Sequence, residues 1–172
     1  MLPIDTERLT LRRLEGRDAD ALAAYRSDPS VAVYQSWSGM TLQEAEDFIA
    51  EQERVAIGEL DRWFQLAVVE RTTDTLVGDI GVCVRSPGTA AEIGFSIAPS
   101  FQHRGYGAEA CRAALAFVLS LAGVEIVEAV VDARNTAAVA LVKRLGMTLV
   151  RTEQAPFKGE MCAEHHFEYR AG

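Results

Sequence analysis

Ser96-Ile97-Ala98-Pro99-Ser100-Phe101-Gln102-His103-Arg104-Gly105-Tyr106-Gly107-Ala108-Glu109-Ala110 is the stretch around which the rest of the chain is organised. It begins at the end of an apolar run, Ile93 to Ala98, that reads as a strand. Pro99 stops that strand, because proline has no N–H for the next ladder position. A short polar loop follows, with two glycines two apart, and then a long apolar helix from Ala108 to Leu121. The first amides of a helix have no internal acceptor, and the helix dipole puts partial positive charge there. A strand, a Gly-x-Gly loop and a helix start together therefore predict an anion site. The glycines let the backbone approach phosphate oxygens, and His103 and Arg104 add charge-assisted donors.

Three readings of this loop compete. Gly105-x-Gly107-x-x-Ala110 matches a dinucleotide fingerprint, which wants the strand to run almost directly into the first glycine and an acid at the end of the next strand. Here Pro99 and several polar residues intervene, Glu128 falls mid-strand, and only Asp132 is near a strand end. The plainest reading is a helix-start turn. The third is a resemblance: Gln102-His103-Arg104-Gly105-Tyr106-Gly107 fits Gln/Arg-x-x-Gly-x-Gly/Ala and resembles the acetyl-coenzyme A pyrophosphate loop of the GNAT acetyltransferase superfamily. The preceding run Glu92-Ile93-Gly94-Phe95-Ser96-Ile97 is similar to the branch that includes the ribosomal-protein N-terminal (Rim-type) acetyltransferases. A P-loop is excluded, as no Gly-x-x-x-x-Gly-Lys-Ser/Thr occurs.

Composition narrows the class. A chain of 172 residues, 49% hydrophobic and 24% charged, suits one globular domain spanning residues 1–172. No apolar run has the length of a membrane span, and Met1 to Asp5 lacks the features of a signal peptide, so a cytoplasmic protein is expected. The net charge of −8 argues against nucleic-acid or anionic-membrane partners and favours a cationic substrate. The locally basic His103, Arg104 and Arg112 stand out against it. Three cysteines, Cys83, Cys111 and Cys162, have no metal-ligand spacing; Cys83 and Cys111 sit in apolar patterns and read as buried thiols. No metal is expected.

Along the chain, Arg8 to Arg12 alternates as a strand. Asp18 is expected to cap a helix reaching Arg26, with Pro29 stopping it. Val31 to Gly39 is irregular and aromatic. Thr41-x-x-Glu44 is a capping box for a second helix, with Ala45, Phe48, Ile49, Val55 and Ala56 at helical spacing and Gly58 ending it. Trp63–Val69, Leu76–Val84 and Ala90–Ala98 read as an antiparallel meander, Gly78 and Gly81 marking a bulge or close approach. Glu125–Val131 must lie parallel to the strand before the long helix, since a helix connects them. Asn135 or Thr136 caps a last helix ending at Leu145, and Gly146 closes it. Met147–Thr152 and Met161–Tyr169 are expected strands, with Glu153 to Gly159 a loop.

This order matches the GNAT superfamily along nearly the whole chain. So does Asn135-x-x-Ala138-x-x-Leu141-x-Lys143-x-Leu145-Gly146-Met147. The resemblance implies an α/β (α+β) fold: a mixed, mostly antiparallel sheet of about seven strands, helices on both faces, and a parallel pair that splays at the co-substrate site. It implies acetyl-coenzyme A as co-substrate. Backbone groups of Phe95, Ser96 and Ile97 would pair with the pantetheine arm, Gln102, His103, Arg104, Gly105, Tyr106, Gly107 and Ala108 would hold the pyrophosphate, and Asn135 would touch the pantetheine. The reaction needs a neutral amine to attack the thioester, a base for its proton and a backbone N–H near Ile97 for the oxyanion. Glu92 is the candidate base, the alternative being an ordinary surface strand residue. With an ordinary pKa of about 4.3 it needs burial or a water relay. Where relatives place an acidic Tyr this chain has Val142, so Ser96 or Tyr34 must protonate the thiolate, or coenzyme A leaves unprotonated. Tyr34 and Trp37 are candidates for an acceptor slot, the other reading being packing of the helices on the sheet. The expected function is transfer of acetyl to a peptide or small-molecule amine, by a monomer or homodimer. The competing expectations are an idle acyl-coenzyme A sensor or scaffold and a nucleotide-binding oxidoreductase.

Overall fold

The computed structural model describes residues 1–170. Among these, eight strands form one sheet: β1 (Ile4–Asp5), β2 (Leu9–Arg13), β3 (Trp63–Glu70), β4 (Thr75–Arg85), β5 (Ala90–Ile97), β6 (Ile126–Asp132), β7 (Thr148–Phe157) and β8 (Glu160–Arg170). Their order in space is β1-β2-β3-β4-β5-β6-β8-β7. Every neighbouring pair is antiparallel except β5 and β6. That pair is joined by helix α4 (Tyr106–Leu119), the crossover that parallel strands require. The other helices are α1 (Ala19–Arg26), α2 (Pro29–Ala32), α3 (Leu42–Gln52) and α5 (Thr136–Arg144).

Alternation along the strands sends side chains to two cores. Leu9, Leu11, Phe64, Leu66, Ile80, Val82 and Ile93 meet the apolar stripe of α4, Ala110, Cys111, Ala114 and Val118, on one face. Ala67, Val69 and Leu76 meet Leu22, Tyr25, Ala45 and Ile49 of α1 and α3 on the other. The expected mixed sheet with helices on both faces is the architecture observed. Cys111 is fully enclosed, and burial pushes its thiol up to about 12, so it is packing rather than chemistry.

The parallel pair opens as the family resemblance implies. β5 and β6 share only Ala90↔Ile126, Ala91↔Val127 and Glu92↔Glu128. Beyond them β6 stays on β8 as far as Asp132↔Glu164, while β5 stays on β4. Gly78 explains the direction β5 takes: a Cβ there would lie 2.2 Å from the Ser96 carbonyl oxygen. Only glycine lets the two backbones come so close, and a bulge at Val68/Val69 bends the adjoining ladder. β5 therefore leans toward β4 and away from β6.

Several local expectations need correction. There are eight strands among the described residues rather than about seven, β1 being a short pair on β2. Glu153–Gly159 is not a loop. It continues β7, in register with β8 from Glu153↔Glu164 to Phe157↔Glu160. The turn is Lys158-Gly159, both at positive φ (48° and 84°), the two-residue geometry whose twist matches a hairpin. Asp18 does not cap α1 with its side chain. Its buried carboxylate instead accepts from Arg12 Nη1 at 2.7 Å and Nη2 at 2.9 Å, and from the Glu15 N–H. α3 begins at the predicted Thr41 capping box but ends at Gln52, not near Gly58. The Arg13 guanidinium donates to the carbonyls of Gln52 and Val55, and Val55 turns into the opposite core. α4 starts two residues before the expected Ala108.

A carboxylate ties the amino-terminal strands to α4. Glu109 accepts from Thr6 Oγ1 at 2.6 Å, from the Arg8 N–H at 2.8 Å and from Arg8 Nε at 2.7 Å. Burial pulls its pKa upward, but the bonds from Thr6 and Arg8 outweigh burial and hold it below the ordinary 4.5. A carboxylate depressed in the folded state gives stability that is present above its unfolded value and lost as pH falls through the folded one. The midpoint of thermal unfolding is thus expected to fall below about pH 4. Glu109→Gln should flatten that slope, a comparison that melting curves from pH 3 to 7 will check.

Candidate active site

The opening between β5 and β6 is the mouth of a cavity of about 670 Å³. Its floor is Phe95, Ser96 and Ile97. One wall is Gln102, His103, Gly105, Gly107 and Ala108, another is Asn135, Ala138, Leu141 and Arg144 at α5, and Val31, Tyr34 and Gln35 close it from above.

The loop wall follows from its backbone. Pro99–Phe101 makes one 3-10 turn, Gln102 is extended, and His103 and Gly105 have φ of 61° and 81°. Gly105 is the residue before the first helical position of α4 and has no side chain to cap it. The first intrahelical bond runs from the Glu109 N–H to the Gly105 carbonyl. Among the described residues the amides of Tyr106, Gly107 and Ala108 therefore have no protein acceptor. Three such donors on a 14-residue helix, at its positive end, are a ready anion site. Gly107 lets the helix sit close: a Cβ there would be 3.5 Å from Ile97 Cγ1 and 3.8 Å from Leu141 Cδ2.

The floor is an open strand edge. The Ala98 N–H donates to the Val77 carbonyl, so by the alternation of an antiparallel ladder Gly94 and Ser96 turn their backbone groups to β4. Phe95 and Ile97 turn theirs to the gap. Both gap-facing carbonyls are met by side-chain amides, Phe95 O by Gln35 Nε2 at 3.2 Å and Ile97 O by Gln102 Nε2 at 2.9 Å. Across the gap, the Tyr34 hydroxyl lies 3.4 Å from the Arg134 carbonyl oxygen. Arg134 itself is fixed by Asp132 and Glu160, and this pairing holds the Asp132 carboxyl below its ordinary range.

The structure gathers most of the sequence-derived site residues and separates others. Phe95, Ser96, Ile97, Gln102, His103, Gly105, Gly107, Ala108, Asn135 and Tyr34 all line the cavity. Ser96 is buried, and it faces the cavity without a free backbone edge. Asn135 is the helix cap, its Oδ1 accepting the Ala138 N–H at 3.1 Å. That bond leaves its amide nitrogen without a protein partner among the described residues. Arg104 and Tyr106 point their side chains elsewhere. The Arg104 guanidinium sits over the Phe101 ring, while Tyr106 is sandwiched by Arg8 and donates to Glu70. Only the Tyr106 amide serves this site. Trp37 lies outside the cavity: its ring stacks on Arg26 and its Nε1–H donates to the Arg26 carbonyl.

Glu92 is not brought to the cavity. It sits on the still-paired part of β5 and is ion-paired with Arg85. Phe95 lies three residues further on, about 10 Å at the rise of a strand. Val142 is fully buried in the core, so that position presents nothing to the site. Gln35, Arg134 and Arg144 are lining residues that the sequence did not single out. Arg144 carried a visible signal, a cation in a helix's last turn; Gln35 and Arg134 are placed by tertiary contacts alone.

A helix mouth with acceptor-free amides, an open strand edge beside it and a phenol near the gap line one cavity. Comparison with known proteins accords with that description. The profile of the acetyltransferase (GNAT) domain matches residues 8–148. An uncharacterized N-acetyltransferase, p20 of Bacillus licheniformis, is 29% identical over 81% of this chain and 79% of its own. Among solved structures, a GNAT-family acetyltransferase from Bacillus anthracis superposes with a TM-score of 0.86 at 23% identity, covering 98% of each chain. The ribosomal-protein-S5-alanine acetyltransferase of Vibrio fischeri gives 0.83 at 14%, over 99% of this chain and 97% of its own. Spermidine N-acetyltransferase from Vibrio cholerae, solved with CoA and spermine, gives 0.82 at 18%, over 96% of each. The chain belongs to the GNAT acetyltransferase family and is by class an N-acetyltransferase, with ribosomal-protein acetyltransferases of the Rim type among its structural neighbours. Among the described residues no helix is long and apolar enough to cross a membrane.

Proposed function

We propose that the chain transfers acetyl from acetyl-CoA directly to a primary amine, on a peptide N-terminus or a small molecule. The observation that carries this reading is one juxtaposition. Gly107 and Ala108, whose amides are acceptor-free at the start of α4, line the same cavity as the gap-facing edge of Phe95 and Ile97. The first suits a diphosphate and the second suits the amides of a pantetheine arm, paired as a short added strand. Arg144 and His103 stand at the charged end. The amine nitrogen attacks the thioester carbon, the C–S bond breaks and the sulfur leaves with the electron pair. The Ile97 N–H, on the gap side, supports the developing oxyanion. The Tyr34 phenol, over the gap, gives a proton to the leaving thiolate, and water takes the proton of the amine.

A row of three carboxylates crosses the sheet beside the opening. Glu92, Glu128 and Glu168 are register partners across β5, β6 and β8 and so share one side of the sheet. α1 and α3 pack only as far as β3 and β4, and Val130 of β6 is 38% exposed on this side. Arg85 and Arg170 pair with Glu92 and Glu168, so Glu128 is the carboxylate of this row left to attract an ammonium-bearing acceptor, in keeping with the net charge of −8. Amines and peptide N-termini assayed by thiol release test the proposal. Turnover of a cationic amine is expected; tight acetyl-CoA binding with no turnover on any acceptor would favour an idle binder, the reading to which the buried Val142 lends support.

Glu92 enters this scheme as the ion-pair partner of Arg85, not as the base. Because Arg85 already neutralises it, Glu92→Gln is expected to change kcat by less than about threefold, far below the 10²–10⁴ of a lost acid or base. Steady-state kinetics on the best acceptor decide this; a loss of a hundredfold or more would restore the base role.

A further inference from the structure

Gln35 reaches into the cavity from far away in sequence. Its side-chain amide donates to Phe95 O at 3.2 Å across a separation of 60 residues. The Gln102 bond to Ile97 O is by contrast local, within the same strand-to-loop connection. Phe95 O is one of the two carbonyls that β5 turns to the gap, where an added strand would seek its acceptors. A carboxamide N–H and a pantetheine amide N–H are the same chemical group. The Gln35 carboxamide already stands on the gap side of Phe95 O, where the arm would have to lie.

We propose that Gln35 is an intramolecular competitor for the pantetheine arm, and so a residue that sets affinity for the thioester. This rests on the reading of the β5 edge given above. The arm takes its place on Phe95 by displacing the Gln35 carboxamide. The displacement is felt on the acceptor side, because the segment that carries Gln35 is tethered at other points. Lys158 Nζ, from the β7–β8 turn, donates to the carbonyls of Ala32 at 2.6 Å and Trp37 at 2.7 Å. Releasing Gln35 frees the middle of a strap whose ends stay pinned.

Gln35→Met keeps the length of the side chain and removes the donor; Gln35 is only partly buried and lies between α2 and α3, so the fold has little stake in it. Acetyl-CoA titrated calorimetrically into wild type, Gln35→Met and Gln35→Ala is the test. Both variants are expected to bind about three- to tenfold more tightly, the equivalent of one net hydrogen bond no longer contested. Wild type that binds while both variants bind equally or more weakly overturns the competitor role and leaves the co-substrate reading standing. Wild type that does not bind acetyl-CoA overturns that reading itself.

Discussion

Gly107→Glu is expected to bind acetyl-CoA more than about a hundredfold more weakly while remaining folded, the equivalent of losing two charge-assisted hydrogen bonds. The fold tolerates the change for two reasons. A Cβ at this position meets Ile97 and Leu141 at 3.5 and 3.8 Å, ordinary contact distances. An acid in the first turn of a helix is favoured by the dipole, by about 0.3–1 kcal/mol. The same dipole draws the new carboxylate onto the amides of Tyr106 to Ala108, where a diphosphate is proposed to sit. The variant thus fills the site with an anion of its own and repels another. Gly107→Ala separates shape from charge: its Cβ fits, and affinity should stay within a few-fold. Calorimetric titration with a melting curve for each variant checks both outcomes. Retained affinity in a folded Gly107→Glu would mean that the anion is bound elsewhere.

The second large effect concerns stability. Asp79→Ala is expected to cost about 3–5 kcal/mol, the range for breaking a buried ion pair by removing one partner. Asp79 is 3% exposed; its carboxylate accepts from Arg26 Nη2 at 2.7 Å and from the Tyr25 hydroxyl. Burial, then the Asp79 charge, drive the Tyr25 pKa well above 10, so the phenol stays a donor at any working pH. Without Asp79 the Arg26 charge is left inside with no carboxylate partner, beside the Trp37 and Phe48 faces and the Tyr25 hydroxyl. Total stabilities run to about 5–15 kcal/mol, so the variant should unfold at markedly lower urea. Arg17→Ala is the contrast. Its pair with Asp74 is exposed on both sides, where solvent screens it, and its loss should leave the unfolding midpoint nearly unchanged. The consequence reaches the site, because Asp79 is the register partner of Ser96 and Arg26 stacks on Trp37, two residues after Gln35. A loss below about 1 kcal/mol would place Asp79 among surface-like pairs and detach it from the site.

How far the sequence goes differs between these parts. The glycine loop, the Thr41 capping box, the α5 cap at Asn135 and the parallel strand after α4 are local patterns, and each was legible because one short stretch decides it. The β7–β8 hairpin was misread because Lys158-Gly159 lacks the Asn-Gly or Asp-Gly signal of a tight turn, and Gln154 to Phe157 lack alternation. Asp18 resembles a cap in sequence, but Arg12 on the neighbouring strand outbids the helix amides for its carboxylate. The site shows the same division. The loop residues that line the cavity lie in one short stretch and were legible directly. Glu92 was set near the chemistry because sequence gives its place on β5 but not where β5 leaves β6. That point is fixed by Gly78 on a third strand. Gln35 was invisible for the same reason, since nothing near position 35 tells of Phe95.

The central claim is that one ligand spans the α4 mouth and the β5 edge. Amide ¹H–¹⁵N spectra of the protein titrated with coenzyme A test it residue by residue. The predicted result is that the largest shifts fall on Tyr106, Gly107, Ala108, Phe95 and Ile97. Shifts confined to the separate cavity at Arg8, Arg71 and Tyr106, with Gly107, Phe95 and Ile97 unmoved, would contradict it.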